Sequence, residues 1–354
     1  MVVDLGALMA NYRFLAERVA PAECAAVVKA DAYGMGVARV APALERAGCR
    51  SFFVATAEES IQLRELLPAA HIYVLESLNR KAMARAVRSD IRPVLNSYEE
   101  VLAWQSVAEG KPDAFCGIHI DTGMSRLGMD ESDVSRLTSC IGDIGALNIC
   151  YVMTHLACAD DVNHEQNSEQ LREFNRLRGL LGSFETSIGN SAGIFLGEPF
   201  HGDLARAGIA IFGCNPMSNP PNPMREVARV EGRILQIRPT LEPSSVGYGA
   251  TAHVGPGSRL ATVAFGYADG YPRSLGNKAH AIVSNRPVPV IGRVSMDSLV
   301  LDITKVPQED VSVGDWATLI GGGVDWDELA DAAGTISYEL MTRIGPRVDR
   351  KYAE

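Results

Sequence analysis

The sequence predicts an α/β protein: a (β/α)8 TIM-type barrel over residues 1–224, followed by a mostly-β domain over residues 225–354. Three observations carry that prediction. Short apolar runs alternate with amphipathic stretches about eight times in roughly 220 residues, the rhythm of a barrel. No G-x-G-x-x-G follows the first apolar run to favour an open doubly wound sheet, which would share that rhythm. Past a segment crowded with proline and asparagine, Asn215-Pro216 to Pro223, helical spacing gives way to β-branched runs bounded by Gly, Pro, Asn and Asp.

In chain order, the expected barrel strands are 24–28, 52–54, 72–75, 92–95, 115–120, 148–153, 186–188 and 208–212. Helical patterns lie between them at 36–47, 57–67, 97–109 and 165–182, the last with Leu171, Phe174, Leu177 and Leu181 on one face. The C-terminal third gives strands at 230–238, 281–283, 288–291, 299–303 and 317–320. Gly321-Gly322-Gly323 lacks a following Lys-Ser/Thr pair and reads as a turn, not a phosphate loop.

Composition narrows the function. The 354 residues are 47% hydrophobic, enough for a large core and two domains. A net charge of −10 argues against nucleic-acid or anionic-membrane partners, which need a basic surface. No run reaches bilayer-spanning length, and Met1-Val2-Val3-Asp4 enters amphipathic sequence without a basic-then-apolar leader. The seven cysteines (24, 49, 116, 140, 150, 158, 214) are scattered and never form C-x-x-C, the usage of a reducing compartment. A cytoplasmic protein is expected.

Barrel enzymes place catalytic groups at strand ends. Lys29 stands at the end of the first strand, before Tyr33, Gly34 and Gly36. Asp121 to Arg126 follows the strand at 115–120, and His155 the strand at 148–153. Asn190-Ser191-Ala192-Gly193 follows 186–188, and Arg206 precedes 208–212. Each alone is ordinary: a lysine marking a solvated strand end, a turn, a helix cap. Together they form a rim suited to an anionic small molecule, with a lysine poised for a Schiff base. Metal chemistry fits poorly, because the histidines show no H-x-H or H-E-x-x-H spacing; His164 beside Asp160 and Asp161 reads as a solvated loop. Serine hydrolysis lacks its G-x-S-x-G. In the β domain, Gly247-Tyr248-Gly249, Gly266 to Tyr271 and Gly292 to Asp297 offer glycine-flanked tyrosines, which are more often turn aromatics than catalysts.

These stretches, in this order, resemble the alanine racemases. The likeness rests on Val28 to Gly34 (VKADAYG), Asp121 to Gly128 (DTGMSRLG), Thr154-His155, Gly189 to Gly193, Arg206 to Ile209, the three β-domain motifs and Thr335 to Pro346. It spans almost the whole chain. The resemblance implies a pyridoxal 5'-phosphate (PLP) enzyme and an obligatory homodimer in which the second subunit completes the active site. Lys29 then resembles the lysine that forms the internal aldimine, and Tyr248 the second catalytic base. Arg206 matches the arginine facing the pyridine nitrogen, with His155 beside the ring. Tyr33, Ser191, Gly208, Ile209 and Tyr338 resemble the phosphate-binding set, and Asn190 a further cofactor-binding residue. Arg126 and Met296 correspond to groups at the substrate carboxylate, and Tyr267 and Tyr271 to entrance residues. No metal is implied.

The chemistry agrees with that likeness. Racemisation removes a proton from one face of Cα and returns one to the other, so two acid/base groups on opposite sides are needed. An amine and a phenol both begin near pKa 10, and neighbours must lower both. Arg126 is the candidate source of that field at Tyr248. An arginine at the pyridine nitrogen keeps that nitrogen unprotonated, weakens the electron sink and disfavours transamination. Three positions depart from the family's common form: Asp31 for asparagine, Met35 for histidine, and His119 where many members carry a carbamylated lysine. Few residues precede the first Asp-Leu. The expected function is interconversion of L- and D-alanine, supplying D-alanine for peptidoglycan. A serine or broad-specificity racemase is the alternative. A decarboxylase of the same architecture would need a glycine-rich phosphate loop, and a non-catalytic PLP carrier would lack the domain bearing Tyr248.

Overall fold

A computed structural model describes residues 1–139, 147–217 and 221–354. Cys140 and the Ser218 to Pro220 part of the proline-rich segment lie outside the described residues. The chain divides into two compact units. One comprises Ala7–Ala32 with Gly36–Arg225, the other Met1–Gly6 and Tyr33–Met35 with Glu226–Glu354.

Strand β1 (Val2–Asp4) opens the chain and belongs to the second unit. The first unit is a parallel sheet of β2 (Glu23–Val27), β3 (Ser51–Val54), β4 (His71–Val74), β5 (Ile91–Leu95), β6 (Phe115–His119), β7 (Asn148–Met153), β8 (Thr186–Ser187) and β9 (Leu204–Ala207). The order is β8-β7-β6-β5-β4-β3-β2-β9, so sequential strands neighbour one another and β9 returns to β2. Closure between β8 and β9 combines backbone bonds, Asp203 N–H to the Thr186 carbonyl and Arg206 N–H to the Gly189 carbonyl at 2.8 Å each, with side-chain ones. Ser187 Oγ donates to the Leu204 carbonyl at 2.6 Å, and the Thr186 N–H donates to Asp203 Oδ2 at 2.7 Å. The strands are near-continuous apolar runs because helices cover the outside while side chains fill the inside. Phe53 stacks on Tyr73 at 4.7 Å, and Tyr151 lies 5.0 Å from Tyr73. A Cβ at Gly117 would sit 3.0 Å from the Tyr151 ring, so a missing side chain on β6 makes room for a large one on β7.

Outer helices start where the sequence supplies caps. Thr56 and Glu59 form a capping box at Ala57–Leu66, Asn79 caps Arg80–Arg88, and Ser97 caps Tyr98–Ala108. His164 caps Glu165–Leu181 through Nδ1, which accepts from the Gln166 N–H at 3.2 Å. One expectation fails. Residues 208–212 are not a strand: Ile209–Phe212 forms a tight 3-10 turn, and the closing strand is β9, which contains Arg206. All four turn residues are buried, and a short apolar run flanked by glycines satisfies a buried turn as well as a buried strand.

The second unit is antiparallel around a long strand, β10 (Ala228–Pro239). Then come β11 (Ser244–Val246), β12 (Ala252–Val254), β13 (Arg259–Ala264), β14 (His280–Val283), β15 (Arg286–Ile291), β16 (Leu299–Asp302), β17 (Trp316–Ile320) and β18 (Lys351–Ala353). A shift in register between Ile234 and Gln236 lets β10 pair with β13 along one stretch, and it pairs with β17 along another. The sheet thereby closes on itself through β13, β16, β15, β14 and β17. Val230, Ile234, Val263, Val290, Leu301 and Leu319 fill its interior. β1 joins β10 antiparallel and β18 parallel, so the chain's start is built into this unit. The glycine run is a turn: Gly321, Gly322 and Gly323 take φ of 72°, 57° and 102°. No described helix is long and apolar enough to cross a membrane.

Candidate active site

Lys29 lies two residues past the end of β2, at the mouth of an unusual turn. Ala30, Asp31, Ala32 and Tyr33 all take left-handed φ, between 53° and 55°. For non-glycine residues that conformation costs about 1–2 kcal/mol each, so surrounding structure must impose it. Two carboxylates do so. Glu59 Oε1 accepts the Ala30 N–H at 2.6 Å while its Oε2 accepts those of Ala55 and Thr56. Asp31 Oδ1 accepts the Val37 N–H at 2.7 Å, starting the helix Val37–Arg46. An asparagine Oδ1 could accept that bond equally, so Asp31 departs from the family's common residue without losing the turn. Glu59 escaped notice as a site residue although Thr56-x-x-Glu59 is a readable capping box; nothing in sequence says that the same carboxylate also braces Ala30.

Burial lowers the Lys29 amine from its ordinary range, the Arg126 charge lowers it further, and Glu59 opposes both. A half-buried amine held below its usual pKa is the form that attacks a carbonyl. Arg206 is wholly buried on β9. Its Nη1 donates to Ser187 Oγ at 2.5 Å; its Nη2 donates to the Thr154 carbonyl at 2.7 Å and the Ile188 carbonyl at 3.3 Å. Burial brings its pKa down to about 10, so it stays charged at neutral pH. Arg206 Nη2 also lies 3.4 Å from His155 Nδ1; an arginine only donates, so Nδ1 accepts and the imidazole proton rests on Nε2. Burial first, then Arg206, Arg126, His119 and Lys29, hold His155 neutral.

Beside them the loop after β8 meets the turn after β9. Asn190 Oδ1 accepts the Gly193 N–H at 2.9 Å and shapes the loop carrying Ser191. Ser191 Oγ, itself buried, accepts the Gly208 N–H at 2.8 Å and the Ala210 N–H at 3.4 Å, drawing the loop after β8 onto the turn after β9. Thr122 Oγ1 and Thr154 Oγ1 meet at 2.7 Å, and Gln170 Nε2 donates to Thr122 Oγ1 at 3.2 Å; nothing in the sequence marks Gln170, a mid-helix residue, as a partner of that pair.

In the second unit, Tyr33 is buried with its ring 6.1 Å from that of Tyr338. Burial, then Tyr338, push the Tyr33 phenol up, which keeps it a proton donor. Tyr248 heads a short turn between β11 and β12, flanked by Gly247 and Gly249 at φ of 72° and 73°, and is 71% exposed. A Cβ at Gly249 would come within 2.8 Å of the Arg293 guanidinium, so glycine there serves close packing as well as conformation. Tyr267 and Met296 are also exposed and sit on paired loops, with the Ala268 N–H donating to the Met296 carbonyl at 3.0 Å. Tyr271 is fully buried, edge-on to Phe265, with no partner for its hydroxyl among the described residues.

The donor set fits PLP: an amine of lowered pKa, backbone and hydroxyl donors for a phosphate, and a fixed guanidinium with a neutral imidazole for a heteroaromatic ring. Residues 3–216 match the family model for the alanine racemase N-terminal domain, and residues 227–352 that for its C-terminal domain. The chain belongs to the alanine racemase family. It is 44% identical to the alanine racemase of Rhodospirillum rubrum, over 99% of this chain and 95% of that protein. It is 41% identical to the biosynthetic alanine racemase of Agrobacterium fabrum, over 99% and 93%. Its fold matches the crystal structure of the Bartonella henselae alanine racemase with covalently bound pyridoxal phosphate. That match has a TM-score of 0.94 at 39% identity, covering 99% of this chain and 98% of the other.

Proposed function

We propose that this chain interconverts L- and D-alanine with PLP as cofactor, Lys29 handling the proton on one face of the substrate Cα and Tyr248 on the other. The observation that carries this reading is Lys29 itself: a lowered-pKa amine at the mouth of a strained turn, on a strand paired with the one that carries the buried Arg206. Bound there, PLP would supply the electron-withdrawing ring that makes the α-proton removable. Ser191, Gly208, Ile209, Tyr33 and Tyr338 hold its phosphate. Arg206 and His155 hold its ring, Arg206 as a permanent cation that yields no proton. Arg126 takes the substrate carboxylate, Met296 is a second candidate for contacting it, and Tyr267 narrows the approach, whereas Tyr271 is buried against Phe265 and does not line an entrance.

The 71% exposure of Tyr248 on a single chain supports a homodimer in which each subunit lends this phenol to its partner. Cys24, Cys49, Cys116, Cys150 and Cys158 are free thiols, which suits a cytoplasmic enzyme supplying D-alanine for peptidoglycan. A chiral assay of purified enzyme with L-alanine, L-serine and L-lysine tests the substrate. L-alanine turned over fastest supports the reading, and preference for serine or lysine replaces it with the broad-specificity alternative. Lys29→Ala tests the cofactor: it abolishes the borohydride-reducible visible band, and survival of that band places the attachment elsewhere.

A further inference from the structure

The barrel carries a half-buried cation at the end opposite Lys29. Lys29 follows the C-terminal end of β2, whereas Arg92 is the second residue of the parallel strand β5, in register with Tyr73 on β4. Arg92 Nη1 donates to the Tyr73 hydroxyl at 2.8 Å and to Cys150 Sγ at 3.7 Å. Cys150 is the extra residue of a bulge in β7: Cys116 pairs with Ile149 and Gly117 with Tyr151, leaving Cys150 between them. The guanidinium carbon also stands 5.0 Å from the Phe115 ring centroid and 5.4 Å from that of Tyr73. These contacts leave one edge of the group open. Nε is buried without a partner, and Nη2 has none among the described residues. Nε and Nη2 form the side-on fork through which an arginine takes a carboxylate by two parallel bonds.

A cavity of about 530 Å³ opens at this place, lined by Arg92, Asp90, Lys111, Asp113, Val87 and Phe115 among others. Its size falls in the range of small-molecule sites. Two cations and two carboxylates line it, and they are not equivalent. Asp90 is already compensated: Arg64 donates to its backbone carbonyl and lies 3.4 Å from its Oδ2. Lys111 and Asp113 sit on a turn closed by the Ala114 N–H on the Lys111 carbonyl at 3.1 Å, and Asn148 Nδ2 braces that turn through the Pro112 carbonyl at 2.7 Å. Both are exposed, and neither charged end has a partner among the described residues. A plain anion entering here meets Asp113, and a plain cation meets Arg92 and Lys111. A ligand carrying both charges satisfies all three, while Val87 and Phe115 offer an apolar wall to a short side chain.

We infer that this cavity binds a small zwitterionic α-amino acid, its carboxylate on the open fork of Arg92 with Lys111 beside it, and its ammonium group at Asp113. The residues that would hold it share none with the set assigned to cofactor and substrate, so the site is additional to the one at Lys29.

The test is equilibrium dialysis of labelled L-alanine against PLP-loaded enzyme reduced with borohydride, so that the cofactor no longer exchanges amines with the probe. Saturable binding of one alanine per chain is expected, with a Kd on the order of 1 mM. Arg92→Gln and Asp113→Asn each weaken it at least about tenfold, the scale of one hydrogen bond to a charged group, while Arg126→Leu leaves it unchanged. Propionate and ethylammonium, which carry one charge each, displace the label at least about tenfold less well than glycine, which carries both. Should Arg92→Gln fail to fold, Asp113→Asn, a change at an exposed turn residue, carries the test alone. Absence of saturable binding overturns the inference, as does native binding in Asp113→Asn. Binding lost in Arg126→Leu but kept in the cavity variants places the alanine at Lys29 instead. Propionate competing as well as glycine overturns the zwitterion and leaves a simple anion site.

Discussion

Arg350 Nε donates at 2.7 Å to the carbonyl of Gly34, a residue 316 positions earlier in the chain. Its remaining donors take the carbonyls of Gly345, Val348 and Ile344 at 2.8–3.2 Å, and the Tyr352 hydroxyl takes the carbonyl of Met35 at 3.0 Å. The last residues of the chain therefore hold the end of the turn that begins at Lys29. Replacing Arg350 with alanine leaves these carbonyls without their donor and costs about 3 kcal/mol. A lowered urea midpoint, together with weaker retention of PLP on dialysis, checks this.

Gly34 has a second constraint. It sits at φ 78°, and a Cβ there would lie 2.5 Å from the Met341 carbonyl oxygen. Gly34→Ala must either strain the backbone or displace Met341, at a cost of at least about 2 kcal/mol. The expected outcome is an enzyme that no longer holds PLP at concentrations saturating the native protein. Native affinity in a PLP titration would show that the turn tolerates a side chain.

The Arg126 charge helps hold the Lys29 amine below its ordinary range. In Arg126→Leu that repulsion is gone, so the Lys29 pKa rises and the protonated, unreactive amine persists to higher pH. The rate at which PLP-free enzyme takes up cofactor covalently is expected to need more alkaline solution, its midpoint moving upward. An unchanged midpoint would mean that burial alone sets Lys29.

Much of this was legible in the sequence. The strands of the barrel announced themselves as apolar runs, and Lys29, His155, Ser191 and Arg206 stood at or near their ends because that is where a barrel exposes backbone and polar groups. The turn at Ala30–Tyr33 was not legible: positive φ is normally signalled by glycine, and here alanine, aspartate and tyrosine adopt it because Glu59 and Asp31 hold them there. β1 and β18 escaped because three residues show no period and their pairing spans nearly the whole chain. The run after Gly208 misled because burial on every side looks alike in a strand and in a tight turn. The 2.8 Å contact of His119 Nδ1 with Asn96 Oδ1 was invisible, since no spacing links two polar residues at the ends of adjacent strands.

The central claim is that Lys29 and Tyr248 serve opposite faces of one carbon. Exchange of the α-hydrogen in deuterated water, followed separately for L- and D-alanine by proton NMR in the PLP-loaded Tyr248→Phe enzyme, tests it most directly. The account predicts that racemisation collapses while one enantiomer, the one whose proton Lys29 handles, keeps exchanging. Exchange lost equally from both enantiomers, or racemisation near the native rate, would contradict it.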